Sequence, residues 1–290
     1  MDTILITGAT GFLGSKVLEM LTQNNYKVLV LKRNNSETKR IDTYLERENV
    51  FVYNVEDLDI LFETVKIDIV LHLATCYGRN NETFEEIQNS NFYFPLKLID
   101  LSIKFGVEYF INTHTVLKSS ANFYANSKHQ LFDYLNSKSV YFNKIINVIP
   151  EYFYGAGDAN WKLMSMLITK LHQNVHQIDL TTGMQKRNFI YISDLVEAYK
   201  LILENIKELP EQSADVYIGT DDLIIIKDLA LICKDFFPES STVLNFGALA
   251  DRIDDVDFYD NHKIANLGWT PKVSLKEGIK KTIAGTKKLN

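Results

Sequence analysis

A tyrosine and a lysine stand one helical turn apart near the middle of the chain, as Tyr124 and Lys128. Residues at positions i and i+4 share one face of a helix, so the ammonium can act on the phenol. A nearby positive charge lowers the pKa of a tyrosine from its ordinary value of ~10 towards neutral pH. Such a phenol can exchange a proton with the oxygen of a carbon that is being reduced or oxidised. The pair predicts redox chemistry on an alcohol or a ketone.

A second hydroxyl for the same oxygen comes from the run that precedes this helix, Ile111 to Val116. The run follows a predicted strand, and ligands bind at the carboxyl ends of parallel strands. We predict that Thr113 hydrogen-bonds the reacting oxygen, with Thr115 as the alternative. The structural interpretation, a β-branched residue that only fits a strand, also stays open for Thr113.

A glycine-rich loop opens the chain, with glycines at positions 8, 11 and 14 between a predicted strand and a predicted helix. Glycine lets the backbone approach a pyrophosphate closely, and the following helix N-terminus attracts its charge. The strand, the loop and the helix stand in the order that a dinucleotide-binding unit requires. The candidate cofactor contacts in this loop are Gly8, Thr10, Gly11, Phe12 and Leu13.

The second predicted strand ends in Lys32, and Arg33 follows it. Sites that bind NAD usually have an acidic residue here for the ribose hydroxyls. Two cations can instead hold a 2′-phosphate through charge-assisted hydrogen bonds. The cofactor expected from these residues is NADP, and the alternative is that both are solvated surface charges.

The elements that must position these residues alternate along the first half of the chain. Strands are predicted at Thr3–Thr7, Lys27–Lys32, Val50–Tyr53, Asp68–Leu73, Glu108–Asn112 and Lys144–Ile149, with helices at Phe12–Thr22 and Phe92–Phe105. Continuous Val, Ile and Leu runs are typical of parallel strands buried on both faces. The predicted fold is α/β, a Rossmann-type doubly wound parallel sheet with a smaller C-terminal substrate-binding lobe. We assign residues 1–155 mainly to the NADP-binding domain and 156–290 mainly to the lobe, interleaved with the first.

The composition of this 290-residue chain limits the classes of partner that we expect. The chain has a formal net charge of −6 and no long basic cluster. No nucleic-acid partner is expected at that charge. Cys76 and Cys233 lack the spacing of a metal site, so no metal is predicted and a reducing compartment fits. No signal peptide or membrane-spanning run is visible in the sequence. We therefore expect a cytoplasmic protein without a membrane partner.

Taken together in their order, these motifs resemble the extended short-chain dehydrogenase/reductases, which include sugar-nucleotide epimerases, dehydratases and reductases. The segment DIVLHLA resembles the family's fourth strand beside the cofactor, which implies contacts from Leu73 and Ala74. Asn91 stands at the position of a structural asparagine. Two further segments resemble family motifs: QKRNFIYISDL, which contains Arg187, and the segment around Arg252. The resemblance implies that Arg187 and Arg252 bind the phosphates of a nucleotide-diphosphate sugar. Cys76 falls near the expected sugar pocket and is a candidate substrate contact, although a half-buried small residue is the favoured interpretation.

The resemblance also distinguishes between dehydratases and reductases within the family. Family dehydratases have Asp and Glu where this chain has His114 and Thr115, so dehydration is not expected. Few residues separate Thr113 from Tyr124, and this shortened form looks like the 4-ketoreductases that include CDP-abequose and CDP-paratose synthases. His114 departs from the Asp expected in that group. The implied function is NADPH-dependent reduction of the C4 keto group of a nucleotide-linked 4-keto-6-deoxy or 3,6-dideoxy sugar, for O-antigen or other surface polysaccharide synthesis.

Two alternatives stay open. An NAD-dependent nucleotide-sugar 4-epimerase would use the same tyrosine and lysine but would keep its cofactor bound. A non-catalytic NADP-binding regulatory protein is the other, since a fold does not fix a function. Family members dimerise through the tyrosine-bearing helix, so a homodimer is expected. The apolar residues Leu131, Phe132, Tyr134 and Leu135 fit either that interface or the core of a monomer.

Overall fold

The computed structural model describes residues 1–209, 212–220, 222–251 and 261–289. The described residues fall into two compact units. Unit 1 contains the described residues of Met1–Pro150, Val196–Tyr217 and Asp255–Trp269, and unit 2 those of Glu151–Leu195, Ile218–Asp254 and Thr270–Asn290. Each unit therefore draws on separate stretches of the chain.

The described strands are β1 (Thr3–Thr7), β2 (Lys27–Lys32), β3 (Val50–Asn54), β4 (Ile69–His72), β5 (Tyr109–Thr113), β6 (Lys144–Pro150), β7 (Tyr152–Tyr154), β8 (Gln177–Leu180), β9 (Lys186–Tyr191), β10 (Ser213–Ile218), β11 (Leu223–Ile225) and β12 (Val243–Phe246). The described α-helices are α1 (Phe12–Thr22), α2 (Asp42–Leu45), α3 (Leu58–Thr64), α4 (Phe84–Gln88), α5 (Phe94–Lys104), α6 (Phe123–Ser137), α7 (Leu163–His172), α8 (Ile192–Glu204), α9 (Ile226–Asp235), α10 (His262–Asn266) and α11 (Leu275–Leu289). A π-helical segment, Asn89–Tyr93, joins α4 to α5, and short 3₁₀ turns lie at Val55–Asp57 and Ser139–Tyr141.

A seven-stranded sheet in the order β10-β6-β5-β4-β1-β2-β3 forms the centre of unit 1. The pairs β1–β2, β1–β4, β2–β3, β4–β5 and β5–β6 are parallel. The strand order reverses direction next to β1, so the glycine loop follows the strand at which α/β sheets bind nucleotides. The predicted α/β fold with a Rossmann-type parallel sheet is confirmed.

Side chains from successive strands meet in the core of unit 1. Leu5, Leu29, Val70, Phe110 and Ile145 come from five neighbouring strands, and all are fully buried in one cluster. Helices α3, α5 and α6 cover this cluster with residues that include Leu61, Leu98 and Leu131. Burial on this scale stabilises the sheet whose carboxyl edge carries the candidate residues.

Unit 2 has smaller sheets, β11-β9-β7 and β12-β8, which pack with α7, α9 and α11 around a second core. Within it the Asp194 carboxylate accepts the backbone N–H groups of Lys272 and Val273, each at 2.9 Å. A buried carboxylate is stable only with such partners. This contact fixes the segment that precedes α11.

Most predicted elements occur with small shifts, and the bounds of β1, α1 and β2 are those predicted. The helix predicted over Phe92–Phe105 is interrupted, because the chain is π-helical as far as Tyr93 before α5 begins. Helix α7 begins at Leu163, since the backbone of Lys162 is still extended. The assignment of the two parts to cofactor and substrate stays a prediction.

Candidate active site

The glycine loop brings β1, α1 and the end of β4 into close contact. Gly8 has a φ of +73°, and a Cβ there would lie 2.6 Å from the backbone nitrogen of Ala74. A Cβ on Gly14 would lie 2.0 Å from the carbonyl oxygen of Gly8. Gly11 is the N-cap of α1 and has no side chain to cap the first N–H groups. The loop is therefore a cradle of bare backbone at a helix N-terminus, which fits the pyrophosphate of a dinucleotide.

The other loop candidates differ in exposure. Thr10 and Phe12 are half-buried, whereas Leu13 and Leu73 are buried. The Thr7 hydroxyl accepts the N–H of Ala74 at 3.2 Å and is 2.8 Å from Nδ1 of the buried His72. These bonds hold the end of β4 against the loop.

The two cations predicted to select NADP lie at the carboxyl end of β2, which pairs with β1: Lys32 is its last residue and Arg33 follows it. Lys32 is half-buried and Arg33 is exposed. The Lys32 ammonium is 3.4 Å from the carbonyl oxygen of Arg33, a long contact that leaves the charge available to a phosphate. Because the loop and these cations follow adjacent parallel strands, they lie at the same edge of the sheet.

Helix α6 positions the tyrosine and the lysine. The Asn122 side chain caps it by accepting the N–H of Ala125 at 2.8 Å, so the helix begins just before Tyr124. Tyr124 is half-buried in the first turn, and Lys128 is buried one turn later. Burial lowers the pKa of Lys128 to about 7. Among the described residues no hydrogen-bond acceptor or carboxylate pairs with its ammonium, so a bound ligand would supply the first such partner.

Two buried histidines lie within reach of the Lys128 charge. Burial and then that charge lower the pKa of His72 well below its ordinary value. The same two causes, with a smaller effect from His129, lower the pKa of His114 to about 2. Both imidazoles are neutral at physiological pH. His114 is therefore not an imidazolium that could donate a proton at that pH.

The two candidate threonines have different partners. The Thr113 hydroxyl lies 2.6 Å from the hydroxyl of Tyr199, on α8. The Thr115 hydroxyl accepts the N–H of Leu117 at 3.3 Å within its own turn. Thr113 is half-buried at the carboxyl end of β5, whereas Thr115 is buried. The position of Thr113 suits contact with a ligand better, while the buried Thr115 hydroxyl has a local structural bond.

His114 and Thr115 line a cavity of about 360 Å³ within unit 1, beside His129 and Phe132 of α6. The His114 ring stacks on Phe132 with their centroids 4.7 Å apart. Its Nδ1 atom is buried without a hydrogen-bond partner among the described residues. This arrangement makes His114 a packing residue of the α6 face.

Asn91 connects α6 to the loop after β4. Its side-chain oxygen accepts the N–H of Cys76 at 2.7 Å, and its amide donates to the Cys76 carbonyl at 2.8 Å and to Ser127 at 3.1 Å. Cys76 itself is half-buried, and burial is the main cause that raises the pKa of its thiol. A protonated thiol is a poor nucleophile, so any contact of Cys76 with substrate would be a packing contact.

Two aromatic residues that contact candidate residues were not predicted from the sequence. The Tyr77 ring lies 4.9 Å from the ring of Tyr124, centroid to centroid. Tyr199 contacts Thr113 from a helix far along the chain. No motif marks either position, although Tyr77 directly follows the candidate Cys76.

The first of the two predicted phosphate-binding arginines lies in unit 2. Arg187 on β9 is 7% exposed, donates to the carbonyl oxygen of Lys186 and lies 5.6 Å from the Tyr152 ring centroid. Burial raises the pKa of the nearby Glu151 carboxyl to about 7, and the positive charge of Arg187 partly opposes this rise. The second, Arg252, lies outside the described residues.

Two further observations concern metal ions and membranes. The described residues include no group of three His, Cys, Asp or Glu side chains placed to hold a metal ion. Within the same residues, no helix has the length and apolar character needed to cross a membrane.

The fold and the order of these residues define a nucleotide-binding oxidoreductase of the short-chain type. The pattern of the NAD dependent epimerase/dehydratase family matches residues 4–219, and the chain belongs to this family. It is similar to CDP-abequose synthase of Salmonella typhimurium, with 30% identity over 303 residues and 97% of each chain covered. It is also 29% identical to dTDP-D-glucose 4,6-dehydratase of Bos taurus over 97% of this chain and 87% of that one. Among solved structures, UDP-glucose 4-epimerase of Thermotoga maritima superposes with a TM-score of 0.84 at 23% identity, over 99% of both chains. The resemblance to sugar-nucleotide enzymes is thus confirmed.

Proposed function

We propose that this protein reduces the C4 keto group of a nucleotide-linked 4-keto-6-deoxy or 3,6-dideoxy sugar with NADPH. The observation that carries the proposal is the pair on α6, a half-buried Tyr124 one turn before a buried Lys128 that has no partner among the described residues. The similarity to CDP-abequose synthase over 97% of both chains supports a deoxysugar substrate and a place in O-antigen or other surface polysaccharide synthesis.

The cofactor would be held by the glycine cradle, with Gly8, Gly11 and the first turn of α1 facing its pyrophosphate. Lys32 and Arg33 would bind the 2′-phosphate that distinguishes NADP from NAD. Leu73 and Ala74 would contact the bound cofactor from the end of β4. When bound, NADPH supplies the hydride that reduces the sugar carbon.

The chain's own residues handle the oxygen and its proton. Tyr124 gives its phenolic proton to the substrate oxygen as that oxygen gains negative charge. Lys128 would stabilise the phenolate left on Tyr124 and would hydrogen-bond the ribose of a bound cofactor. Thr113 donates a hydrogen bond to the same substrate oxygen, which stabilises the developing charge. Arg187 and Arg252 are proposed to bind the substrate pyrophosphate, and Cys76 to border the sugar.

A reductase is favoured over a dehydratase because His114 and Thr115 replace the acid and base that dehydration needs. The neutral His114 has a pKa of about 2 and packs against α6. The cations after β2 favour a reductase over a 4-epimerase, since a reductase consumes NADPH whereas an epimerase keeps NAD bound.

A homodimer through α6 is part of the proposal. Leu131 and Leu135 are fully buried in the core of unit 1 and cannot form an interface. Phe123, Tyr93 and Phe84 are 61%, 58% and 54% exposed, and the Phe84 and Phe123 ring centroids lie 5.1 Å apart, so these aromatic residues are available to a partner chain. Phe132 and Tyr134 of α6 are half-buried. Sedimentation equilibrium of the wild type and of Phe123→Ser would test this part separately.

The test is to follow NADPH absorbance with a panel of CDP-, dTDP-, GDP- and UDP-linked 4-keto-6-deoxy sugars. Oxidation with one of them, and little with NADH, is expected. Tyr124→Phe should bind NADPH normally and lose most turnover, with a fall in kcat of about 10²-fold or more. No oxidation with any sugar, together with NAD released on denaturation and interconversion of C4 epimers, would replace the reductase with the epimerase.

A further inference from the structure

The hydroxyls of Thr113 and Tyr199 form a short hydrogen bond of 2.6 Å within unit 1. Tyr199 is fully buried on α8, so water cannot reach its hydroxyl. Thr113 is half-buried at the end of β5, so its hydroxyl also has an open side. Within the part of the chain that the structure describes, the Tyr199 hydroxyl has Thr113 as its hydrogen-bond partner. One side chain of the proposed active site is therefore bonded to a group that lies wholly inside the protein.

The direction of this bond decides what Thr113 can do. Each hydroxyl has one hydrogen and acceptor lone pairs. If Thr113 donated to Tyr199, its only hydrogen would be engaged, and it could offer a substrate oxygen lone pairs alone. If Tyr199 donates, the Thr113 hydrogen stays free for the substrate. A phenol is more acidic than an aliphatic alcohol, so Tyr199 is the better donor.

We propose that Tyr199 is a positioning residue that donates its hydrogen bond to Thr113 and thereby directs the Thr113 hydrogen at the reacting oxygen of the substrate. This inference rests on the proposed function, because it assigns Thr113 to that oxygen. The proton that the substrate gains comes from Tyr124, while Thr113 and Tyr199 keep theirs. Each hydroxyl in the chain from Tyr199 to Thr113 to substrate polarises the next, so the last donor is strengthened as the oxygen becomes negative.

The first variant is Tyr199→Phe, which removes the hydroxyl and keeps the ring. We expect kcat to fall about fivefold to tenfold, the effect of one oriented neutral hydrogen bond. The KM for the sugar nucleotide and the Kd for NADPH should stay unchanged, because the bond matters as charge develops rather than on binding. A general loosening of the fold would change these constants as well.

The matched control is Tyr109→Phe. Tyr109 is also a buried tyrosine, 8% exposed, at the opposite end of the same strand as Thr113. The two residues are four positions apart along the strand, roughly 13 Å. Its variant should keep the kcat of the wild type. Equal losses in both variants would overturn the specific role of Tyr199.

A double-mutant cycle with Thr113→Val separates positioning from packing. Thr113→Val alone should lower kcat by about 10²-fold, as for loss of a donor to a developing negative oxygen. Adding Tyr199→Phe should then change kcat no further, because its effect passes through Thr113. A further fivefold to tenfold loss in the double variant, or an unchanged kcat in Tyr199→Phe alone, would overturn the proposal.

The wild-type assays separate this inference from the proposed function. If the protein interconverts C4 epimers with bound NAD instead of oxidising NADPH, the reductase assignment fails. The same cycle is then run on the epimerisation rate, where the same non-additive pattern supports Tyr199 and an additive pattern overturns it. A wild type without either activity would overturn both.

Discussion

Lys128 should make folding of the cofactor-free protein depend on pH in an unusual direction. Its pKa is lowered from 10.5 to about 7 by burial, which no described partner offsets. Each pKa unit corresponds to about 1.36 kcal/mol, so the difference amounts to about 4–5 kcal/mol at its largest. The unfolded chain binds the extra proton between pH 7 and 10.5, so stability rises with pH across that window.

The perturbation is Lys128→Met, which keeps the apolar stem and removes the ammonium. Without cofactor, the variant should be more stable than the wild type at pH 7, by up to about 4 kcal/mol. This advantage should shrink by about 2 kcal/mol at pH 9, because the folded lysine is then neutral while the unfolded chain still holds its proton, and each unit of pH lowers the free energy needed to remove that proton by about 1.36 kcal/mol. The sequence places one tryptophan in each unit, Trp161 and Trp269, so urea unfolding followed by fluorescence reports on both.

Lys104→Met is the matched control, since Lys104 is exposed at the end of α5 in the same unit. Its ammonium stays in water in both states, so its difference from the wild type should not vary between pH 7 and pH 9. A constant difference for Lys128→Met, or one that grows with pH, would refute the claim that Lys128 is buried without a partner. At each pH the free energy of unfolding of the wild type is subtracted from that of the variant, so the titration of groups that both proteins share cancels.

Three further outcomes are expected. Burial raises the pKa of Glu151 to about 7, with Arg187 opposing it, so the wild type should lose about 3 kcal/mol relative to Glu151→Gln as the pH rises from 4.5 to 7. Urea unfolding at pH 4.5 and pH 8 measures this, and parallel curves would contradict it. Gly14→Ala places a methyl group 2.0 Å from the Gly8 carbonyl oxygen, so the glycine loop must open to accommodate it. NADPH affinity should therefore fall by about 10²-fold or more in a fluorescence titration, and an unchanged affinity would refute the role of the loop in cofactor binding. Arg33→Ala should raise the KM for NADPH by about tenfold to a hundredfold and leave the KM for NADH unchanged, since charge-assisted hydrogen bonds contribute about 1.5–3 kcal/mol. An equal effect on both cofactors would show that Arg33 does not bind the 2′-phosphate.

The parts that the sequence predicted well are local. The first strand, the glycine loop and α1 depend on neighbouring residues, and their bounds appear as predicted. Tyr124 and Lys128 are four positions apart, so helical periodicity alone places them on one face. The strands from β1 to β4 could be predicted because buried parallel strands have continuous apolar sequences.

The parts that were missed depend on distant segments. Tyr199 reaches Thr113 across 86 positions of sequence, and its helix pattern indicates burial but no particular partner. The π-helical segment around Asn91 lies where the buried Asn91 amide accepts the N–H of Cys76 and donates to the hydroxyl of Ser127 on α6. The sequence identified the asparagine but not the irregular helix that presents it.

Strand β10 has a consequence for how the protein is made. The large sheet is complete only when residues 213–218 pair beside β6, which ends at Pro150. A ribosome must therefore synthesise more than sixty residues after β6 before that strand loses its open edge. Unpaired edges of half-finished sheets are where chains associate wrongly. A nascent chain released near Pro150 would carry the glycine loop and the tyrosine helix on an unfinished sheet, so we expect truncation there to give aggregates rather than a cofactor-binding fragment.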